Sequence, residues 1–146
     1  TNKAVFLGDG KRIAQCRQLA RELEVEELAV FLGNRSDVGD FYTAATLFVH
    51  SSPAEGLPTV LLEAMKYGTP IVATRSMPGV EEILQGDLYG VQCQVGDPQD
   101  MAEKIWMCLR DEELRGHYCE RGALRVKDFS YDVVRERLED IMNGLV

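Results

Sequence analysis

Long apolar runs are absent from this 146-residue sequence, and basic residues are scarce. No stretch approaches the roughly 20 apolar residues that a membrane-spanning helix needs, and no signal peptide opens the chain. The 16 lysines and arginines are outnumbered by 24 acidic residues, and the resulting net charge of −8 argues against binding to a nucleic acid. The chain also lacks an initiator methionine, so we expect it to begin inside a larger protein or to have been processed.

Cysteine and histidine are few, and their spacings fit neither a metal site nor a disulfide framework. The four cysteines include no C-x-x-C pair, and His50 and His117 stand in no ligand-like spacing with them. Cys16, Cys93 and Cys108 fall on apolar faces, where small buried thiols are usual. We therefore expect no metal and no disulfide, and a reducing, cytoplasmic location.

What the sequence does contain is the composition of an ordinary globular domain. Hydrophobic residues make up 45% and charged residues 27% of the chain. The length is sufficient for one domain with its own core, and neither a linker nor a repeat interrupts it. The sequence therefore predicts a single domain, residues 1–146.

Short apolar runs alternate with amphipathic stretches along the chain. The runs that predict strands are residues 4–7, 28–32, 46–50, 71–74 and 91–95. Helices are predicted at about residues 11–24, from Ser36 through Tyr42, from Pro58, and at 80–84, 98–110, 112–127 and from Ser130. Four of the five strands are apolar apart from the terminal residues Thr46, His50 and Thr74, which indicates a parallel, doubly wound α/β sheet covered on both faces.

Ligands of such sheets bind beyond the carboxyl ends of the strands. The carboxyl ends of the predicted strands are marked by Gly8, Gly33, Ser52 and Thr74, so we expect the site at their common edge. The last strand, residues 91–95, alternates apolar and polar residues, which predicts a partly wet strand at the edge of the sheet.

The first loop contains glycines but fits neither common nucleotide-binding fingerprint. Gly8-Asp9-Gly10 follows a strand, but G-x-G-x-x-G would need glycine where the chain has Ile13. Lys11 lacks the earlier glycine that a P-loop requires.

The most informative stretch, residues 51–70, carries two carboxylates eight positions apart, Glu55 and Glu63. Pro58 suits the first position of a helix, so Glu55 would precede the helix and Glu63 would lie within it. Unpaired N–H groups at the positive end of the helix dipole favour an anion such as a diphosphate. The apolar neighbours of Glu63 predict a helix covered on most sides, in which a carboxylate needs a partner.

Each carboxylate also has a simpler explanation. Ser52 and Glu55 fit the S-x-x-E capping box, although Gly56 and Pro58 would break a helix begun there. Glu63 could be an ordinary surface charge.

Residues 55–70 resemble the E-x7-E block of retaining GT-B glycosyltransferases, the group-1 family that uses nucleotide-sugar donors. Further blocks match in the same order, at residues 6–10, 31–33, 47–50, 71–74, 79–83 and 96–97. The resemblance implies a Rossmann-like sheet that forms the C-terminal, donor-binding half of a GT-B architecture. It also implies a role in polysaccharide or glycolipid biosynthesis.

The resemblance assigns roles to particular residues. Glu63 would accept hydrogen bonds from both ribose hydroxyls, and Glu55 would face the transferred sugar as the catalytic residue. The diphosphate would be held by backbone N–H groups of the loop formed by Gly56, Leu57, Pro58 and Thr59. The base would lie by Asn34 and Arg35, and Gly10 would also contact the donor.

Transfer in this family retains the anomeric configuration, and a positive site stabilises the leaving diphosphate. The chain contains no D-x-D, so neither a metal-dependent site nor a cofactor is suggested. The family's basic pair comes from a first strand and helix that this chain begins too late to include, and Lys11 and Arg12 lie in the wrong loop. We therefore expect a donor-site fragment, inactive without its partner, the N-terminal acceptor-binding domain. Any membrane contact would be made through that domain.

Three other functions remain open. A sugar-nucleotide 2-epimerase shares the two-domain architecture, and product analysis would identify it. A non-catalytic nucleotide-binding module would keep affinity when Glu55 is changed. A receiver-like domain fits worst, because it needs an acidic cluster at early strand ends where only Asp9 is present.

Overall fold

In the computed structural model, which describes residues 2–144, the chain divides into two compact units, Thr1–Asp40 and Phe41–Val146. Its strands are β1 (Ala4–Leu7), β2 (Ala29–Gly33), β3 (Phe48–His50), β4 (Ile71–Thr74) and β5 (Val91–Cys93). Its helices are α1 (Ile13–Glu22), α2 (Val38–Ala44), α3 (Thr59–Lys66), α4 (Gly79–Leu84), α5 (Pro98–Arg110), α6 (Glu112–Arg125) and α7 (Tyr131–Asn143). A 3-10 helix, Val126–Phe129, joins α6 to α7.

The first unit contains the parallel pair β1 and β2, with α1 between them in the chain. The rings of Phe6 and Phe31 stack across the pair with centroids 4.7 Å apart. The expectation that β1 is covered on both faces is wrong, because Val5 is 48% and Phe6 47% exposed. Two strands and one complete helix provide too few side chains to bury both faces. Cys16 on α1 is likewise exposed, contrary to the prediction of a buried thiol.

The second unit is built on a three-stranded parallel sheet in the order β3-β4-β5. The central strand, β4, has all four of its side chains buried, as its apolar sequence predicts. The sheet is parallel throughout, so the loops after β3 and β4 leave from the same edge. These two loops carry the candidate site.

The prediction that the last strand lies at an edge is confirmed for this sheet, but the reason for it is wrong. The side chains of β5 are all buried, including Gln92. The Gln92 amide nitrogen donates to Glu81 Oε2 at 2.9 Å and to the Gly86 carbonyl at 2.7 Å, while Gln92 Oε1 accepts from Arg75 Nε at 3.2 Å. Buried hydrogen-bond partners, and not water, account for the polar residue in this strand.

The tightest packing lies in the second unit, where α3, α4 and α5 contribute to the core around β4 and β5. Its largest fully buried apolar side chains are Leu61, Met65, Ile71, Val72, Val80, Ile83, Leu84, Val91 and Cys108. Cys108 is the small buried thiol that its apolar neighbours predict, and burial raises its pKa.

The later helices start and stop where their capping residues predict. The Asp97 carboxylate accepts hydrogen bonds from the N–H groups of Gln99 and Asp100, each at 3.0 Å, and Pro98 follows as the first helical residue of α5. By contrast, α7 buries none of its side chains. Within residues 2–144, no helix combines the length and the apolar character needed to cross a membrane.

Candidate functional site

The loop from Ser51 to Pro58 connects β3 to α3 and is held by the end of β4. The Thr74 hydroxyl, at the last residue of β4, donates a hydrogen bond to the Ser52 carbonyl. The Ser52 hydroxyl in turn donates to the carbonyl of Ala54 at 3.1 Å. The sheet edge therefore fixes the path of the chain just ahead of Glu55.

A second loop, between β4 and α4, packs directly on the first. The Gly79 N–H donates to the Glu55 carbonyl at 3.3 Å. A Cβ atom built on Gly79 would lie 2.3 Å from the Gly56 carbonyl oxygen and 2.8 Å from Pro58 Cδ. Glycine is therefore required here, because any side chain would collide with the backbone of the candidate loop.

The start of α3 differs by one residue from the prediction. Pro58, with φ −75° and ψ 91°, is the N-cap residue, and Thr59 is the first helical residue, so the prediction of Pro58 at the first helical position is wrong. Proline has no side-chain acceptor, and no side-chain hydrogen bond caps the helix at Pro58. The Leu61 N–H donates to the Pro58 carbonyl at 3.0 Å. The N–H groups of Thr59 and Val60 remain available to an anion, at the positive end of the helix dipole.

The carboxylate of Glu63 lies on the exposed side of α3. The helix is covered on most sides, as its apolar residues predict, because Leu61, Ala64 and Met65 are buried and their apolar neighbours are half-buried. Glu63 itself is exposed. The Tyr42 hydroxyl donates to Glu63 Oε2 at 3.3 Å. An exposed carboxylate with one oxygen contacted by a hydroxyl keeps acceptor capacity for a ligand.

Tyr42 is the partner of Glu63 and is itself tightly held. Its ring packs edge-on to Phe48 at 5.3 Å and stacks on Tyr67 at 5.7 Å. Its carbonyl accepts a 2.7 Å hydrogen bond from the Thr69 hydroxyl. Burial, helped by the negative charge of Glu63, raises the pKa of the Tyr42 phenol to about 12, so the hydroxyl stays protonated and can donate at neutral pH.

Glu55 is partly exposed and lies beside His50, the last residue of β3. Glu55 Oε1 is 3.3 Å from His50 Nε2, and the two side chains are 31% and 14% exposed. The distance is that of an ion pair, but the angles do not make a hydrogen bond. His50 Nε2 is buried and has no hydrogen-bond partner among residues 2–144.

The remaining residues of the predicted donor loop are exposed except Pro58, which is buried. Gly56, Leu57 and Thr59 are exposed, and Leu57 is a large apolar side chain left 45% accessible at the surface. The structure therefore brings six predicted site residues into one continuous segment, the loop and the first turns of α3: Glu55, Gly56, Leu57, Pro58, Thr59 and Glu63.

Three further predicted residues, Gly10, Asn34 and Arg35, lie in the first unit. Gly10 follows β1 and Asn34 follows β2, so both leave the carboxyl edge of that parallel pair. The Arg35 guanidinium contacts both carboxylate oxygens of Asp37, at 2.8 and 2.6 Å, which raises the pKa of Arg35 and lowers that of Asp37. Arg35 is exposed but already engaged by Asp37.

Sequence reasoning assigned no specific role to four residues that shape this site: Tyr42, His50, Thr74 and Gly79. Tyr42 and Glu63 are 21 positions apart, and no pattern within a helix or strand couples them. His50 and Thr74 carried one usable signal, since each ends a strand at the predicted ligand edge. Gly79 belongs to residues 79–83, one of the blocks that match the family.

The arrangement suits an anionic, hydroxyl-bearing ligand. An exposed carboxylate can accept from two hydroxyls, and an uncapped helix start can bind a phosphate oxygen. Among residues 2–144, no group of three or more His, Cys, Asp or Glu side chains is placed to hold a metal ion.

The family that carries this fold and loop is identified by comparison of sequences. The profile described as "Glycosyl transferases group 1" matches residues 1–125. The chain belongs to this family.

Two curated relatives illustrate its range. The chain is 34% identical to the N-acetyl-alpha-D-glucosaminyl L-malate synthase of Bacillus anthracis over 82% of its own length and 31% of that protein. It is 35% identical to the lipopolysaccharide core biosynthesis glycosyltransferase LpsE of Rhizobium meliloti, over 90% of its own length and 38% of that protein. The chain thus spans less than two fifths of either relative.

Solved structures share the fold. Alr3699/HepE of Anabaena, in complex with UDP, superposes with a TM-score of 0.89 at 23% identity, over 98% of this chain and 41% of that one. WaaG, a glycosyltransferase involved in lipopolysaccharide biosynthesis, superposes with a TM-score of 0.76 at 25% identity, over 97% of this chain and 38% of that one. The fold is that of the C-terminal, Rossmann-like half of GT-B glycosyltransferases.

Proposed function

We propose that this chain forms the donor side of an enzyme that transfers a sugar from a nucleotide-diphosphate donor to an acceptor, with retention of anomeric configuration. One observation carries the proposal. Two accessible carboxylates, Glu55 and Glu63, flank the uncapped start of α3 in a chain of the group-1 family. The acceptor would be bound by an N-terminal domain of the longer protein.

Glu63 is the proposed ribose ligand. A cis-diol offers two O–H donors, and the exposed Glu63 carboxylate has the lone pairs to accept both. The Tyr42 hydroxyl, held by its aromatic neighbours, contacts one carboxylate oxygen and limits the rotamers available to the side chain. The nucleoside would therefore meet an oriented acceptor.

The diphosphate is proposed to lie against the loop of Gly56 and Leu57 and the first turn of α3. Negative charge grows on the leaving diphosphate during transfer, so N–H groups that are already oriented stabilise the transition state more than the ground state. Gly79 and Thr74 keep this loop in place from the neighbouring strand. The donor site is thus preorganised by the sheet edge.

Glu55 is proposed to face the transferred sugar, and Gly10, Asn34 and Arg35 to lie toward the base and the rest of the donor. Solved relatives support a uridine nucleotide as the first candidate, because Alr3699/HepE was crystallised with UDP and with UDP-glucose. The relatives named for lipopolysaccharide and amylovoran biosynthesis support an acceptor of the polysaccharide or glycolipid class. The buried, free thiols of Cys93 and Cys108 suit a reducing, cytoplasmic location.

Calorimetry with two matched variants tests the assignment of the carboxylates. A panel of UDP-, GDP- and ADP-sugars is first screened, and the best pair of nucleotide sugar and nucleoside diphosphate is kept. We expect Glu63→Gln to weaken binding of the diphosphate roughly ten- to hundredfold, because a charge-assisted hydrogen bond is lost. Glu55→Gln should leave diphosphate affinity nearly unchanged and reduce only the added affinity of the nucleotide sugar.

Glu120→Gln, a loss of the same charge from the exposed surface of α6, provides the control and should change neither affinity. Equal losses for both site variants with the diphosphate would contradict the division of roles. Unchanged diphosphate affinity in Glu63→Gln would show that Glu63 is an ordinary surface charge with no role in binding. In the full-length enzyme, Glu55→Gln should depress the rate of transfer; binding without any transfer by the parent would indicate a non-catalytic module.

A further inference from the structure

The side chain of His50 lies beside the Glu55 carboxylate. Its Nε2 lies 3.3 Å from Glu55 Oε1. His50 is fixed at its position because it ends β3, pairs with Ala73 of β4, and lies with its ring 6.4 Å from that of Phe48. The backbone of Glu55 is held by Gly79, but its side chain has no hydrogen bond of its own among residues 2–144.

The state of the imidazole follows from its surroundings. Nε2 is buried and finds no hydrogen-bond partner among the described residues, and a buried polar atom left unpaired is costly. A bare Nε2 would place a lone pair against carboxylate oxygens, which are also acceptors. An Nε2–H can instead donate to Glu55 after a small rotation of that partly exposed side chain.

We propose that His50 is a positioning residue, whose Nε2–H turns the Glu55 carboxylate toward the sugar of the donor. The inference rests on the proposed function, in which Glu55 faces that sugar. His50 itself touches neither the nucleotide nor the reacting atoms. Its contribution therefore belongs to the sugar-dependent part of the affinity and to the rate of transfer.

Two amide variants of His50 distinguish the effect of the proposed hydrogen bond from the effect of side-chain packing. The terminal nitrogen of His50→Gln reaches the position of Nε2, whereas the shorter His50→Asn reaches only that of Nδ1. We expect His50→Asn to weaken binding of the nucleotide sugar about three- to tenfold, as the loss of one hydrogen bond predicts, and His50→Gln to restore most of it. Neither should change the affinity for the nucleoside diphosphate; UDP-glucose and UDP are the first pair to use.

The decisive comparison repeats the His50 substitution in a protein that lacks the Glu55 carboxylate. In Glu55→Ala the proposed partner of His50 is gone, so adding His50→Asn should cause no further loss. An equal loss in His50→Asn and His50→Gln, an effect on UDP binding, or a persisting effect in Glu55→Ala would each overturn the proposal. If Glu55→Ala itself leaves the preference for the nucleotide sugar intact, the proposed role of Glu55 fails, which is a distinct result.

The parent protein provides a test that does not depend on how the variants fold. Nitrogen-15 NMR of labelled histidine reports which ring nitrogen carries the proton. A protonated His50 Nε2, with a signal that shifts in Glu55→Gln, supports the proposal. A bare Nε2 at neutral pH would overturn it.

Discussion

At the scale of single residues, the two candidate carboxylates are each paired with a ring. Tyr42 contacts Glu63, and His50 lies beside Glu55. Phe48 joins the two, since it packs edge-on to Tyr42 at 5.3 Å and stacks with His50 at 6.4 Å. The packed rings of Tyr42, Phe48 and His50 therefore lie behind both carboxylates.

The variant Tyr42→Phe tests the contribution of the Tyr42 hydroxyl independently of its aromatic ring. The stacking on Tyr67 is kept, but Glu63 loses its donor and gains rotational freedom. We expect affinity for the nucleoside diphosphate to fall about two- to fivefold, the effect of one long hydrogen bond. Calorimetry measures the change, and Tyr131→Phe, at an exposed position on α7, is the control.

The same phenol predicts a loss of stability at alkaline pH. Its pKa is raised from 10.0 to about 12 in the folded state, so the folded protein holds this proton over a range in which the unfolded chain releases it. The stabilisation is therefore complete below about pH 10 and declines as the pH rises toward 12. In urea titrations across this window, the free energy of unfolding should fall less steeply for Tyr42→Phe than for the parent; equal slopes would contradict the shift.

At the scale of elements, Asp97 is a helix cap that the sequence and the structure agree on. Its carboxylate accepts from two N–H groups at the start of α5. Asp97→Ala should reduce the free energy of unfolding by about 1 kcal/mol, whereas Asp97→Asn, which keeps an acceptor, should lose much less. Urea unfolding monitored by circular dichroism gives both values, and equal losses would assign the effect to charge and not to capping.

Gly79 couples two elements, the loop before α3 and the start of α4. A methyl group in Gly79→Ala would force the Gly56 carbonyl to move, so we expect a cost of about 1–3 kcal/mol together with weaker diphosphate binding. Gly116→Ala is the matched control, because nothing lies within 4 Å of the added carbon and alanine favours the helix. An unchanged affinity in a folded Gly79→Ala protein would show that the loop does not depend on this contact.

The sequence predicted the bounds of a helix or strand where neighbouring residues determine them. The apolar run at β1 and the Asp97–Pro98 start of α5 gave their observed bounds. The prediction failed where a residue's environment depends on partners that are distant in the chain. Gln92 reads as a wet strand position but is buried through bonds to Glu81 and Gly86, and the Tyr42 hydroxyl that contacts Glu63 comes from another element.

At the scale of the whole molecule, large apolar side chains remain at the surface. On α7 they recur at helical spacing and are 50–78% exposed: Tyr131, Val134, Leu138, Ile141 and Met142. Apolar residues at this spacing are typical of a helix that packs on a partner. The sequence alone could not predict that the described chain leaves this face open, because the covering surface is not encoded in the helix itself.

We expect the isolated chain to self-associate as its concentration rises, because contiguous exposed apolar surface favours contact between copies. Sedimentation equilibrium should show a weight-average mass that increases with concentration. Leu138→Glu should shift the chain toward the monomer, whereas Arg137→Glu, one position along the same helix, should act only through charge. A parent that stays monomeric at high concentration would contradict the expectation.

The open face of α7 also sets how firmly that helix is held. A 13-residue helix that buries no side chain has little beyond its own backbone hydrogen bonds to keep it formed, and isolated helices of this length are marginal in water. Its amides should therefore exchange with solvent deuterium long before those of β4, whose side chains are all buried. Any surface that covers the face slows that exchange, so α7 is a built-in probe of assembly that needs neither a label nor a ligand.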